Sequence, residues 1–336
     1  MTENFAFANW FKTSKRNHIQ IVGSSTVYPF AAVIAETFGR NTEFKTPIVE
    51  STGTGGGFKL FCSGVGYDFP DLSNASRKIE ASEIKKCLEN GVKKIVEIKI
   101  GYDGIVLANA VSGQNYSLTK NQIFLGLAQK VPSRNGLGLV ENFYQKWSDI
   151  DASLPQIKIA VYGPPTTSGT RDAFAELVME KACVNMKEFI KAFPDAKTRK
   201  KQCHLIRSDG KFIEAGENDN LIVQKLKNDS NALGIFGFSF LEENRNAIKP
   251  AIINGNVPTF DNIISGSYPV SRPLFIYFKA EHLNLVAGLR QFIAEIISLN
   301  TIGNEGYLLQ KGLSPPNDLE LKKVRDEIEK IIQVSS

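Results

Sequence analysis

Three stretches of this 336-residue chain place small hydroxyl residues and glycines directly ahead of an amphipathic run. They are Gly23-Ser24-Ser25-Thr26, Ser51-Thr52-Gly53-Thr54-Gly55-Gly56-Gly57 and Thr167-Ser168-Gly169-Thr170-Arg171. A helix start presents backbone N–H groups outside the helical ladder, together with the positive end of the macrodipole. Glycine lets that backbone approach a ligand closely, and a hydroxyl adds another donor. Three starts of one composition describe a pocket built around a small oxyanion. Arg171 adds a cation where the helix dipole disfavours one unless an anion compensates it, and a guanidinium binds tetrahedral oxyanions through paired donors. Arg77, behind Asn74-Ala75-Ser76, is similarly placed at a strand end. Either arginine has a plain alternative in a surface ion pair.

Several other chemistries do not fit. The Gly53–Gly57 run is not followed by the Gly-Lys-Ser/Thr of a P-loop, and Phe58 three residues after Gly55 breaks a dinucleotide fingerprint. No histidine neighbours a candidate nucleophile and no nucleophile elbow appears. No catalytic residue, cofactor or metal is therefore expected. Glu217-Asn218-Asp219 comes nearest to a cation site, but two acids on one loop ordinarily stay solvated or cap a helix. Carboxylates matter for which anion enters: ionised, they only accept, so they welcome a protonated oxygen and repel a bare one. Asp103, Asp172 and Asp71 are the candidates, and Asp103 could equally tie the turn at Gly104.

The elements that must position these residues read as alternating strands and helices. Residues 19–22 form a short strand, and Val27, Phe30, Val33, Ile34 and Phe38 then recur at helical spacing, with Pro29 suited to a first turn. A second strand over 44–50 leads through the glycine-rich loop into 58–61, and a third ends over 69–73. This βαβαβ pattern implies a parallel sheet with ligands at the carboxyl ends of its strands, where the polar segments fall. Further strands are expected over 95–100, 105–109, 157–162, 232–237 and 273–278, and helices over 121–128, 172–181, 283–299 and 319–334. The second and third polar segments lie more than a hundred residues apart. Bringing them together takes two α/β lobes facing across a cleft. Crossings near 104 and 271 would leave the first lobe discontinuous: 19–104 plus 272–336, against 105–271, with 1–18 as an N-terminal extension outside the fold.

Composition agrees with a globular chain of two substantial cores: 42% hydrophobic and 22% charged residues, with a net charge of +5 spread along the sequence. The densest basic run, Lys197-Thr198-Arg199-Lys200-Lys201, reads as a solvated turn rather than a nucleic-acid contact. No apolar run reaches the roughly 18 residues of a membrane span. The four cysteines fall into two close pairs with separations of 25 and 20, read as two local disulfides of an oxidising compartment.

With these residues in view, the chain resembles the phosphate-binding proteins of bacterial phosphate ABC transporters. The likeness rests on Ile21 to Phe30, Ser51 to Phe58, Leu72 to Ile79 and Ser168 to Phe174, with weaker support from 103–108 and 232–237. It implies a type II periplasmic binding protein fold: two Rossmann-like α/β lobes, two crossover strands and a ligand sealed between the lobes. It further implies a periplasmic monomer with no enzymatic activity and no nucleic-acid partner. Such a protein binds inorganic phosphate and delivers it to transmembrane permease subunits. By motif position Ser25, Thr26 and the Val27 N–H would bind phosphate from the first lobe, with Thr54 from the second loop. Ser168, Gly169 and Thr170 would bind it from the other lobe. The family's Ser-Asp-Ala aspartate is absent from Asn74-Ala75-Ser76-Arg77, and its arginine four residues before the Ser-Gly-Thr serine is here Pro164. Arg77 and Arg171 would supply the charge, with Ser76 beside them, and Asp103 the acceptor. Cys62 would pair with Cys87 and Cys183 with Cys203. The readings set against this are a receptor for sulfate, molybdate or a phosphonate, and a phosphatase using the same cradle.

Overall fold

The computed structural model describes residues 16–216 and 219–334. Most of the N-terminal extension, and Glu217 and Asn218 of the proposed cation loop, lie outside the described residues. The first lobe opens with β1 (Gln20–Gly23), α1 (Tyr28–Asn41), β2 (Ile48–Ser51), α2 (Thr54–Phe61), β3 (Leu72–Ala75) and α3 (Ala81–Glu89). A single strand, β4 (Ile95–Ala110), then leaves it. Next come α4 (Lys120–Leu127), β5 (Val161–Gly163), α5 (Gly169–Phe174), α6 (Ala196–Cys203), β6 (Phe212–Glu214), α7 (Asp219–Asn228), β7 (Leu233–Gly237) and β8 (Ile248–Pro250). The chain returns along β9 (Ser271–Lys279) and ends with α8 (Leu289–Ile296) and α9 (Asp318–Val334).

The strands share one sheet, ordered β2-β1-β3-β9-β4-β7-β5-β6, with β8 against the far end of β4. β1, β2 and β3 run parallel, as do β7, β5 and β6. Between these groups β9 runs antiparallel to both β3 and β4. β4 changes partner midway: Ile95 to Gly104 pair with β9, and Ile105 to Ala108 pair with β7. Two chain segments thus pass between the parallel halves, and the carboxyl ends of their strands face one another. The result is the mixed α/β architecture expected of two lobes on crossover strands.

Each half has its own core. Ile21, Phe38, Phe278 and Phe292 pack on one face of the first sheet half; Phe58, Phe61 and Tyr277 pack on the other, beside the Cys62–Cys87 disulfide. Phe124, Trp147, Phe174 and Phe236 centre the second, where Cys183 bonds to Cys203. These rings are fully buried, at roughly 1.5–3 kcal/mol each for the apolar ones.

Several element boundaries differ from the sequence reading. The two strands expected on either side of Gly101-Tyr102-Asp103-Gly104 are one continuous strand, and Gly101 within it lets the 313–314 segment pass close by: a Cβ there would lie 2.5 Å from the Ser314 carbonyl. Gly55, Gly56 and Gly57 form the first turns of α2 rather than a loop. β2 begins only at Ile48 and β3 at Leu72, where pairing with β1 starts. The helix expected from 283 begins at Leu289, since His282, bonded to Asp71, holds a 3-10 turn over Ala280–His282. The basic run at 197–201 lies in α6, capped by Asp195 accepting from the Thr198 N–H.

Candidate functional site

The three hydroxyl-rich segments open α1, α2 and α5 at the carboxyl ends of β1, β2 and β5. The first two are drawn together by glycine. Gly23 has φ +133°, and a Cβ on it would sit 2.2 Å from the Asn74 carbonyl; one on Gly57 would sit 2.5 Å from the Gly23 Cα. Only bare backbone lets β1, the end of β3 and the start of α2 meet this closely. The third segment comes from the other lobe and abuts the first, because a Cβ on Gly169 would lie 3.4 Å from both the Ser25 carbonyl and the Thr26 Cα. Contacts across the lobes are therefore already made.

Hydrogen bonding at these starts decides what each hydroxyl can still offer. Thr26 Oγ1 accepts from Arg272 Nη2 at 2.7 Å. Thr54 Oγ1 accepts from the Ser76 N–H at 3.2 Å, and lies 3.1 Å from Ser76 Oγ. Ser168 Oγ, the N-cap of α5, accepts from the Thr170 N–H at 3.2 Å. A hydroxyl whose oxygen is engaged by an N–H keeps its proton to donate elsewhere. Thr26 and Ser168 are thus oriented as donors, and the Thr54–Ser76 pair keeps one proton beyond the one it shares, at starts whose N–H groups and dipoles also favour negative charge. Ser25 differs: its hydroxyl donates to Asp172 Oδ2 at 2.6 Å, across the lobes. Val27 is buried and is the N-cap residue of α1, with no side-chain cap, which leaves its N–H at the mouth of that helix.

Arg77 and Arg171, the two arginines singled out from sequence, are held elsewhere. Arg77 donates to both Glu83 oxygens at 2.9 and 2.8 Å and lies over the Phe58 ring. It walls the cleft as half of an ion pair. Arg171 turns back into its own lobe, bonding the Pro164 carbonyl at 3.3 Å and lying 4.3 Å over the Phe212 ring. Desolvation lowers its pKa, and its nearest acid is Glu214 at 3.9 Å. A cation at a helix start therefore finds an aromatic face and a carboxylate instead of a ligand.

Arg272, which the sequence reading did not pick out, is the buried cation between the lobes. It follows the second crossover and pairs in register with Asp103 of β4. Besides Thr26 it bonds Glu176, and its Nε lies 3.8 Å from Asp103 Oδ2. Neither that Nε nor that Oδ2 has a hydrogen-bond partner. Burial pushes the Asp103 carboxyl above the ordinary aspartate range; Arg272 pulls it down and Glu176 pushes it up. A π-helical stretch, Ala175–Glu180, carries Glu176 on the same helical rod as Ser168-Gly169-Thr170.

Two cavities flank this junction. One of about 500 Å³ is lined by Thr54, Ser76, Arg77, Glu176, Lys200 and Arg272, among others. The second, about 270 Å³, has Asp103, Thr170, Phe30 and Gln310 in its wall. Asp71, another candidate carboxylate, lies at the opposite end of β1 and β3, where it accepts from Arg16, His282 and the Gln20 N–H. Among the described residues no helix is long and apolar enough to cross a membrane.

Comparison with known proteins agrees with this geometry. Residues 12–300 match the PBP superfamily domain. Protein SphX of Synechococcus elongatus is 31% identical over 287 residues, covering 84% of this chain and 73% of its own. The phosphate-binding protein PstS of Staphylococcus saprophyticus is 31% identical over 284 residues, 82% of this chain and 74% of that one. Among solved structures, a possible phosphate binding protein from Planctomyces limnophilus superposes with a TM-score of 0.72 at 27% identity, covering 96% of this chain and 99% of that one. The chain belongs to the PBP superfamily of substrate-binding transport proteins and, within it, to the phosphate-binding proteins of the PstS family.

Proposed function

We propose that this chain binds inorganic phosphate between its lobes and delivers it, outside the cytoplasmic membrane, to the permease of a phosphate ABC transporter. The lobes would be residues 19–104 with 272–336, and 105–271, hinged where β4 changes partner and where β9 begins. The observation that carries this reading is the set of three hydroxyls beside the helix starts, each accepting from an N–H: Thr26 from the Arg272 guanidinium, Thr54 from the Ser76 amide and Ser168 from the Thr170 amide. The Thr26 and Ser168 hydroxyls, one proton of the hydrogen-bonded Thr54–Ser76 pair, the Val27 and Gly169 amides and the Thr170 hydroxyl make an oxyanion cradle without a reactive group. Arg272 adds charge at its centre, and Arg77 and Arg171 add field from the walls. Ser25 would hold the lobes together through Asp172 while its backbone lines the cradle.

Asp103 would read the ligand's proton. Ionised, it accepts from a protonated phosphate oxygen and repels sulfate. Because burial raises its pKa, lowering the pH turns it into a donor before an ordinary aspartate would change. The protein would act as a monomer, without catalysis and without nucleic acid.

Calorimetric titration of phosphate and sulfate across pH, beside an assay for phosphomonoester hydrolysis, tests this. One phosphate per chain, weaker sulfate binding that strengthens on acidification, and no turnover are expected. Sulfate binding as tight as phosphate at neutral pH, or turnover, would overturn it.

A further inference from the structure

We infer that Arg272 and Glu176 form a closure latch, so that phosphate affinity depends on an ion pair whose acid never touches the ligand. This rests on the phosphate reading for its ligand, though not for its geometry. The Arg272 guanidinium is divided three ways. Nη2 donates to Thr26 in the first lobe, Nη1 bonds Glu176 in the second, and Nε faces Asp103 on the crossover strand. No other single side chain described above joins both lobes and both crossover strands.

The partition of burial shows what the pair is for. The Arg272 side chain is 9% exposed and that of Glu176 45%. Arg272 is tied to the first lobe's side, since it pairs with Asp103 of β4 and its strand joins β3 from Phe275 onward. Glu176 rides on the second lobe, one turn and a half beyond Thr170, and reaches Arg272 only when the lobes meet. Glu176 lies in the first turn of the π-helical stretch beginning at Ala175, a widened turn of the kind often found at working sites. Opening the cleft therefore breaks the pair and leaves a buried guanidinium with one acceptor fewer. Contacts present in only one of two states shift the balance toward that state. They also lower the apparent dissociation constant, in proportion to the population that can hold ligand. The pair thus favours closure ahead of the anion and slows its escape.

The test is a double-mutant cycle on the full chain, with Glu176→Gln, Arg272→Gln and both together, titrated with inorganic phosphate. Glu176→Gln is expected to weaken phosphate about tenfold, a common size for coupling between two states. Most of that change should appear in the release rate. In the Arg272→Gln background the same change should cost nothing, because its partner is gone. An acid acting only as a like charge beside the anion would give the opposite sign. Unchanged or tighter binding by Glu176→Gln, or an equal loss in both backgrounds, would overturn the latch. X-ray scattering of the ligand-free chain separates this from the choice of ligand. Glu176→Gln is expected to be more open than the parent chain, and equal radii would refute the latch even if the ligand were another anion.

Discussion

Thr26→Val is the sharpest single test of the cradle. Valine nearly matches threonine in shape, so packing at this buried site is kept and only the hydroxyl is lost. Two consequences follow from the contacts. The anion loses one O–H donor, and hydrogen bonds to charged groups contribute about 1.5–3 kcal/mol. Arg272 Nη2 loses its acceptor at 2.7 Å, and a buried donor left unpaired costs about 1–3 kcal/mol. The second cost falls on the closed state to the extent that opening lets water reach the guanidinium. About 2 kcal/mol from the donor alone is about 30-fold in affinity, and about 4 kcal/mol with the full second term is about 700-fold. Thr26→Ser is the control: it restores the hydroxyl and removes one methyl, about 0.8 kcal/mol or about fourfold. Phosphate titration of the parent chain and both variants decides the matter, with circular dichroism to show that each is folded. Valine binding phosphate within threefold of the parent, or serine as weak as valine, would refute the assignment of Thr26 as a donor held in place by Arg272.

Further outcomes follow from residues placed outside the cradle. Arg171→Ala should leave phosphate affinity within about threefold while lowering the melting temperature, since it removes a cation–π contact with Phe212 of about 0.5–2 kcal/mol. Asp71→Ala should destabilise by about 3–5 kcal/mol in urea unfolding without changing phosphate affinity, because it strands His282 in a fully buried pair at the far end of the lobe. Asp103→Asn should flatten one part of the stability–pH curve. The folded carboxyl holds its proton to higher pH than the unfolded one near 3.9. Its stabilisation is thus full below about pH 3.9 and lost as pH rises through the raised value, and the slope over that interval should vanish in thermal melts of the variant. Replacing Cys62 and Cys87 by serine should cost about 3.5 kcal/mol, the loop-closure value for a bridge spanning 25 residues, read as a lower midpoint in denaturant.

How much of this was legible in the chain depends on whether the signal was local. The three helix starts were, because capping and dipole chemistry are written within five or six consecutive residues, and the alternating elements that carry them gave the two-lobed sheet. Arg272 was not. Its partner Thr26 lies 246 positions away, and Ser271-Arg272-Pro273 reads only as the edge of a strand. Glu176 sits in mid-helix, where an acid normally means a solvated face, and nothing in Ala175–Glu180 announces a π turn. Arg77 and Arg171 were read for the unfavourable company of a cation and a helix start, which is sound as far as it goes. The structure resolves that conflict differently in each: Glu83, six residues on in α3, for one, the Phe212 ring from a neighbouring strand for the other. A cation close in sequence to a donor cluster can find such a local partner, so proximity along the chain is weak ground for assigning charge to a ligand. Arg272 stands where partners near in sequence are scarce: Thr26 engages part of its guanidinium from the first lobe, and Glu176 from the second lobe supplies the remainder. On the reading proposed above, the residue to test as the sensor of the ligand is accordingly the one whose hydrogen bonds are not completed within a single lobe.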